Sequence, residues 1–89
     1  MIDLNKYNLN NDDYIFFEDL IYNLVESQFA ITLIFDNSYS FHIDPCGCEF
    51  QVWHCGTMIS KYKDLDDLLF NFKLDNKPFI EQLNKIEYE

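Results

Sequence analysis

Two hydrophobic rhythms alternate along this chain. Phe17, Leu20, Ile21 and Leu24 follow the i, i+3, i+4, i+7 spacing of one helical face, and Asn10, Asn11 and Asp12 just before them are residues that start helices. A helix is predicted over residues 12–27. Residues 29–35 then form a continuous apolar run with β-branched members, short enough for a buried strand. Asp36, Asn37 and Ser38 supply turn chemistry, after which Tyr39, Ser40, Phe41, His42 and Ile43 alternate with period two as a second strand. Asp44, Pro45, Cys46 and Gly47 have Pro at i+1 and Gly at i+3, the preferences of a type I turn. Residues 48–54 alternate again and make a third strand, and a weaker fourth runs over residues 58–62 after Gly56.

The last third returns to helical spacing. Asp64 can cap a helix whose Leu65, Leu68, Leu69 and Phe72 form one stripe, with Asp66 and Asp67 near the positive end of its dipole. The segment Asp75, Asn76, Lys77, Pro78 breaks it. Pro78 suits a first helical position, and Phe79, Ile80, Leu83 and Ile86 mark the inner face of a last helix. The fold expected is α+β: one domain over residues 1–89, with an N-terminal helix, a three- to four-stranded antiparallel meander and two short C-terminal helices, the helices packed on one face. Pairing Phe35 with Tyr39 and Ile43 with Cys48 gathers Ile31, Leu33, Phe35, Tyr39, Phe41, Ile43, Phe50 and Val52 on the core face. Thr32, Ile34, Ser40, His42, Glu49, Gln51 and Trp53 fall on the other.

Composition narrows the class. Of 89 residues 48% are hydrophobic, so a formal charge of −10 does not mark a disordered acidic tail, and the chain is long enough to fold around one core without disulfides or a structural metal. The N-terminal residues 1–5 lack the basic region and apolar stretch of a signal peptide, and no apolar run is long enough to span a membrane. A cytoplasmic location is expected, where three cysteines stay reduced. Residues with AT-rich codons dominate, with only 2 Gly, 2 Pro and no arginine, which points to a low-GC bacterium or a phage or mobile element within one. Lacking arginine, the chain has no bidentate donor for phosphate, and only 6 lysines stand against 16 carboxylates. Direct nucleic-acid binding is therefore not expected.

The pattern Phe-His-Ile-Asp-Pro, then Phe-Gln-Val-Trp, then Leu-Asp-Asp-Leu-Leu-Phe-Asn-Phe-Lys-Leu-Asp-Asn-Lys-Pro-Phe resembles small uncharacterised acidic proteins of low-GC Gram-positive bacteria and their prophages. It covers roughly residues 29–89. The resemblance implies a fold and a genomic neighbourhood, contains no catalytic motif and assigns no residue a role.

Residues 44–55 concentrate the candidate chemistry, holding all 3 cysteines, the only tryptophan and His54. Cys46, Cys48, His54 and Cys55, with His42 nearby in sequence, are soft ligands of the kind a tetrahedral zinc takes. Residues 49–53, however, read as a strand, which at the rise of a β-strand separates Cys48 from Cys55 by about 20 Å. One ion does not bridge that distance. Cys46 and Cys48 flank a glycine and are close enough for a strained disulfide, but Asp44 and Glu49 make poor company for a thiolate. Neither histidine has a serine or acid placed beside it by sequence for a triad. No enzyme and no cofactor is expected; a thiol or metal protein using the Cys46, Cys48 and Cys55 cluster is the alternative.

Partner binding is the stronger reading. Trp53, with His42, Gln51 and Glu49, is assigned to the non-core sheet face, and Trp with a polar tip is enriched at binding hot spots; cover by the first helix or the C-terminus is the competing explanation. The carboxylates attract basic surfaces and steer association, and Asp64 and Asp67 are candidate contacts, although capping and solubility also account for such charges. The expectation is a non-enzymatic acidic protein-interaction module, an inhibitor or immunity-type factor of a phage or mobile element acting on a basic protein. Self-association through a strand edge is a third reading.

Overall fold

A computed structural model describes Tyr7 and residues 9–89. Residues 1–5, read above for a signal-peptide pattern, lie outside the described residues. The first helix, α1 (Asn11–Ile21), starts where Asn10 accepts a hydrogen bond from the Asp13 backbone N–H at 2.8 Å, an N-cap reinforced by Asp12 and Asp13 in the first turn. It does not continue as α-helix to residue 27. Tyr22–Glu26 is a π-helical segment, closed where the Ser27 N–H donates to the Tyr22 carbonyl at 2.9 Å. Phe17, Leu20, Ile21 and Leu24 are buried across both segments, as their spacing requires.

The chain continues through β1 (Ile31–Phe35), β2 (Tyr39–Cys46), β3 (Glu49–His54) and β4 (Thr57–Tyr62). It then forms α2 (Leu65–Asn71), the short hairpin β5 (Lys73–Leu74) and β6 (Lys77–Pro78), a 3-10 helix (Phe79–Lys85) and β7 (Ile86–Tyr88). The larger sheet has the order β4-β3-β2-β1-β7 and is antiparallel throughout. The α+β class and the N-terminal helix agree with the expectation, but among the described residues the sheet has five strands rather than three or four. Only one C-terminal α-helix forms, the second being the 3-10 segment. Ile86, assigned by spacing to a helix face, instead pairs with Phe35 in β7.

Register follows burial. Phe35 pairs with Tyr39 as expected, but Ile43 pairs with Val52 rather than with Cys48. The offset is even, so each side chain keeps its predicted face. The predicted turn at Asp44 to Gly47 is replaced by one with Gly47 and Cys48 at its centre, between the paired Cys46 and Glu49. Gly47 has φ +67 and is the only one of the two with positive φ, the pattern of a type II′ hairpin. Pro45 is thereby drawn into β2, which it tolerates because β1 pairs only as far as Ile43 and no ladder partner is needed on that side.

The helices cover one face of the sheet. Ile31, Leu33, Phe35, Phe41, Ile43, Phe50 and Val52 meet Phe17, Leu20, Leu24, Leu68, Leu69, Phe72, Phe79 and Leu83 in a single core. Phe41 is its hub, with ring centroids 5.4 Å from Phe72 and 6.3 Å from Phe79 in edge-to-face contact. Gln82, buried among these groups, is satisfied by donating to the Leu74 carbonyl at 2.9 Å. No helix among the described residues is long and apolar enough to cross a membrane.

Candidate functional site

The face of the sheet opposite the helices is organised in cross-strand rows. Thr32, His42, Trp53 and Met58 form one row across β1, β2, β3 and β4, and Asp44, Gln51 and Lys61 form the next. Ser40, Ile34 and Glu87 make a third, extending the face to β7. Alternation within each strand places these residues here once Ile43, Val52 and Leu33 have turned to the core. Among the described residues, no helix packs over this face.

At its centre the Trp53 and His42 rings stack in parallel, centroids 6.0 Å apart and planes 5° from coincident. Trp53 Nε1–H donates to Gln51 Oε1 at 3.3 Å, which fixes the indole relative to the neighbouring row. Both rings are half-buried. Met58 at the end of the row is 44% exposed. Around this patch stand Asp44, Glu49, Glu87 and Glu89 against Lys61, whose ammonium lies 3.7 Å from Glu49 with both side chains half in solvent. Such a pair contributes little to stability. The Glu89 carboxylate accepts from the Ser40 hydroxyl at 2.8 Å. Four of the predicted contact residues, Trp53, His42, Gln51 and Glu49, are thus brought together on one surface.

Asp64 and Asp67 are placed elsewhere, at the start of α2 in the helical layer. Asp64 accepts from the Asp67 N–H at 2.8 Å as the N-cap. Asp67 accepts from the Lys63 N–H at 3.0 Å and from the Asn71 side-chain amide at 2.6 Å. These bonds, the Lys63 backbone one foremost, hold the Asp67 carboxyl below its usual range. Both carboxylates have a local structural task.

All three cysteines are free and exposed. Cys46 and Cys48 flank Gly47 at one end of β3, while Cys55 lies in the turn at its other end, with the whole strand between. Among the described residues no three His, Cys, Asp or Glu side chains are grouped to hold a metal. His54 sits on the helix side of the sheet, apart from His42, stacked on Tyr39 at 4.3 Å. Its Nδ1 lies 2.7 Å from the Ser40 carbonyl and its Nε2 3.4 Å from Cys55 Sγ. The sequence reading missed this arrangement, because the Ser40 carbonyl is brought to His54 only by strand pairing.

Two further surfaces escaped the sequence reading. On α1 and its extension Ile15 is 67% and Tyr22 57% exposed, at a seven-residue spacing that places them on one face away from the core. An open groove of about 470 Å³ is lined by Tyr39, Ile59, Phe72, Lys73, Asp36 and Asp75, among others. Its charged groups are of both signs. Compared with known proteins, the chain matches no family model, no curated protein and no solved structure.

Proposed function

We propose that this chain is a non-enzymatic interaction module whose outer sheet face, over which none of the described helices packs, docks on a basic protein surface, as an inhibitor or immunity-type factor of a phage or mobile element does. The observation that carries the reading is the stacked Trp53 and His42 pair, set on an exposed face among Asp44, Glu49, Glu87 and Glu89 with Lys61 as the one cation of its cross-strand rows. An indole held by a neighbour loses little freedom on binding and supplies a large apolar anchor, while the surrounding carboxylates speed encounter with a cationic partner. The formal charge of −10 extends that attraction over the molecule and disfavours acidic partners, nucleic acid included.

The test is affinity capture from a lysate of the cell that encodes the protein, at low and at raised salt. A basic protein retained at low salt, released by salt and no longer retained by Trp53→Ala supports the reading. A complex indifferent to both Trp53→Ala and Glu49→Gln overturns it.

A further inference from the structure

Cys55 differs from the other two thiols in having a base aimed at it. It occupies the turn between β3 and β4 with φ +52, followed by Gly56 at φ +78, the paired left-handed conformations of a type I′ hairpin turn. Its Sγ lies 3.4 Å from Nε2 of the preceding residue, His54. The other ring nitrogen, Nδ1, is 2.7 Å from the Ser40 carbonyl, which can only accept, so Nδ1 carries the proton of the neutral ring. Nε2 then presents its lone pair to the thiol. Stacking on Tyr39, with centroids 4.3 Å apart and planes 18° from parallel, restrains the ring against rotation.

A nucleophile in hydrogen-bond reach of a base, with the base oriented by a third group, is the arrangement that activates a thiol. Cys46 and Cys48 are exposed as well but are flanked in the chain by Pro45, Gly47 and Glu49 and by no histidine. We infer that Cys55 is a reversible thiolation site that exchanges with low-molecular-weight disulfides, with His54 as its base. In the exchange His54 Nε2 takes the thiol proton and the Cys55 sulfur attacks one sulfur of the disulfide. The new bond joins Cys55 to that sulfur, and the old S–S bond breaks with its electron pair on the departing thiolate, which recovers the proton from the imidazolium. No net oxidation occurs beyond the transfer of the disulfide itself. The inference is independent of the docking face, since His54 and Trp53 lie on opposite sides of β3.

Dithiodipyridine, a neutral disulfide, is the probe. The folded protein is treated with an excess, quenched at intervals, and the adduct at each cysteine is quantified by peptide mass spectrometry. Cys55 is expected to react at least about 10-fold faster than Cys46 and Cys48, a threshold set below the roughly 10²–10⁴-fold that a positioned base typically contributes. His54→Gln should bring Cys55 to the rate of the other two and leave theirs unchanged. Equal rates at the three thiols of the unaltered protein overturn the inference, and so does a lead of Cys55 that survives His54→Gln. The comparison within the unaltered protein decides the matter even if the variant fails to fold.

Discussion

Leu33, Ile43 and Val52 are 0% exposed, whereas Thr32, His42 and Trp53, each one residue away on the same three strands, reach solvent. The backbone is shared, so hydrogen-bonding geometry does not distinguish the two sets. What differs is the neighbour above the sheet: two helices and a 3-10 segment on one side, none of the described elements on the other. The inner face draws its energy from apolar area removed from water and from close packing. The outer face has only cross-strand pairs, each worth a fraction of that. Trp53 therefore contributes less to folding than a ring on the inner face does.

The sharpest way to break this contrast is to truncate one ring on each face. Phe41→Ala removes the hub of the core and is expected to cost about 3–5 kcal/mol, read as a fall in the urea midpoint. Trp53→Ala loses one stack and one side-chain hydrogen bond and should cost about 1 kcal/mol in the same experiment; a loss as large as that of Phe41→Ala would mean that the outer face is a second core. The smallest effect is confined to alkaline solution. The Tyr88 phenol, on the inner side of the short edge strand, is held above its ordinary value, chiefly by burial and then by the hydrogen bond it donates to Asp19 at 2.6 Å. In the unfolded chain the phenol ionises near pH ~10. Below that pH its contribution to stability is whole; above it the unfolded state gives up the proton first and stability falls toward the folded pKa. Tyr88→Phe should flatten this alkaline decline, leaving it less steep than in the unaltered protein when urea midpoints are compared on either side of about pH 10.

Much of the inner face was legible because it obeys simple periods. Phe17, Leu20, Ile21 and Leu24 have helical spacing, and the alternation from Tyr39 to Trp53 keeps its faces because the expected and observed pairings of β2 with β3 differ by an even number of residues. The turn itself was misread. Pro45 and Gly47 match a type I turn, yet the sheet is narrower at that end, so the proline can stay in the strand and Gly47 is spent on the tighter hairpin. The last strand was illegible for another reason. Phe79, Ile80, Leu83 and Ile86 fit a helix face, and three residues of strand are too few to display alternation against it; pairing of Ile86 with Phe35 decides the matter. Of the site, the grouping of Trp53, His42, Gln51 and Glu49 follows from parity. Contacts made across strands, such as His54 with the Ser40 carbonyl, depend on a register that the residues do not spell out.

One small contact bears on how copies of this chain can meet. Beyond Ile43 the strand β2 has lost β1 as a neighbour, and its backbone would be open to a foreign strand. Gln28 occupies that position with its side chain: its Oε1 accepts from the Gly47 N–H at 3.1 Å and its Nε2 donates to the Gly47 carbonyl at 3.2 Å. A carboxamide bonded in both directions imitates a peptide unit, so the side chain serves as a one-residue strand. With Pro45 offering no N–H, this stretch gives an incoming chain no ladder to extend. Among the described residues, growth of the sheet is left to its two outermost strands, β4 and the three-residue β7. Of these β4 is the longer, and Lys61 on it, with Lys63 just past its end, puts charge along that edge, which disfavours pairing with a foreign strand.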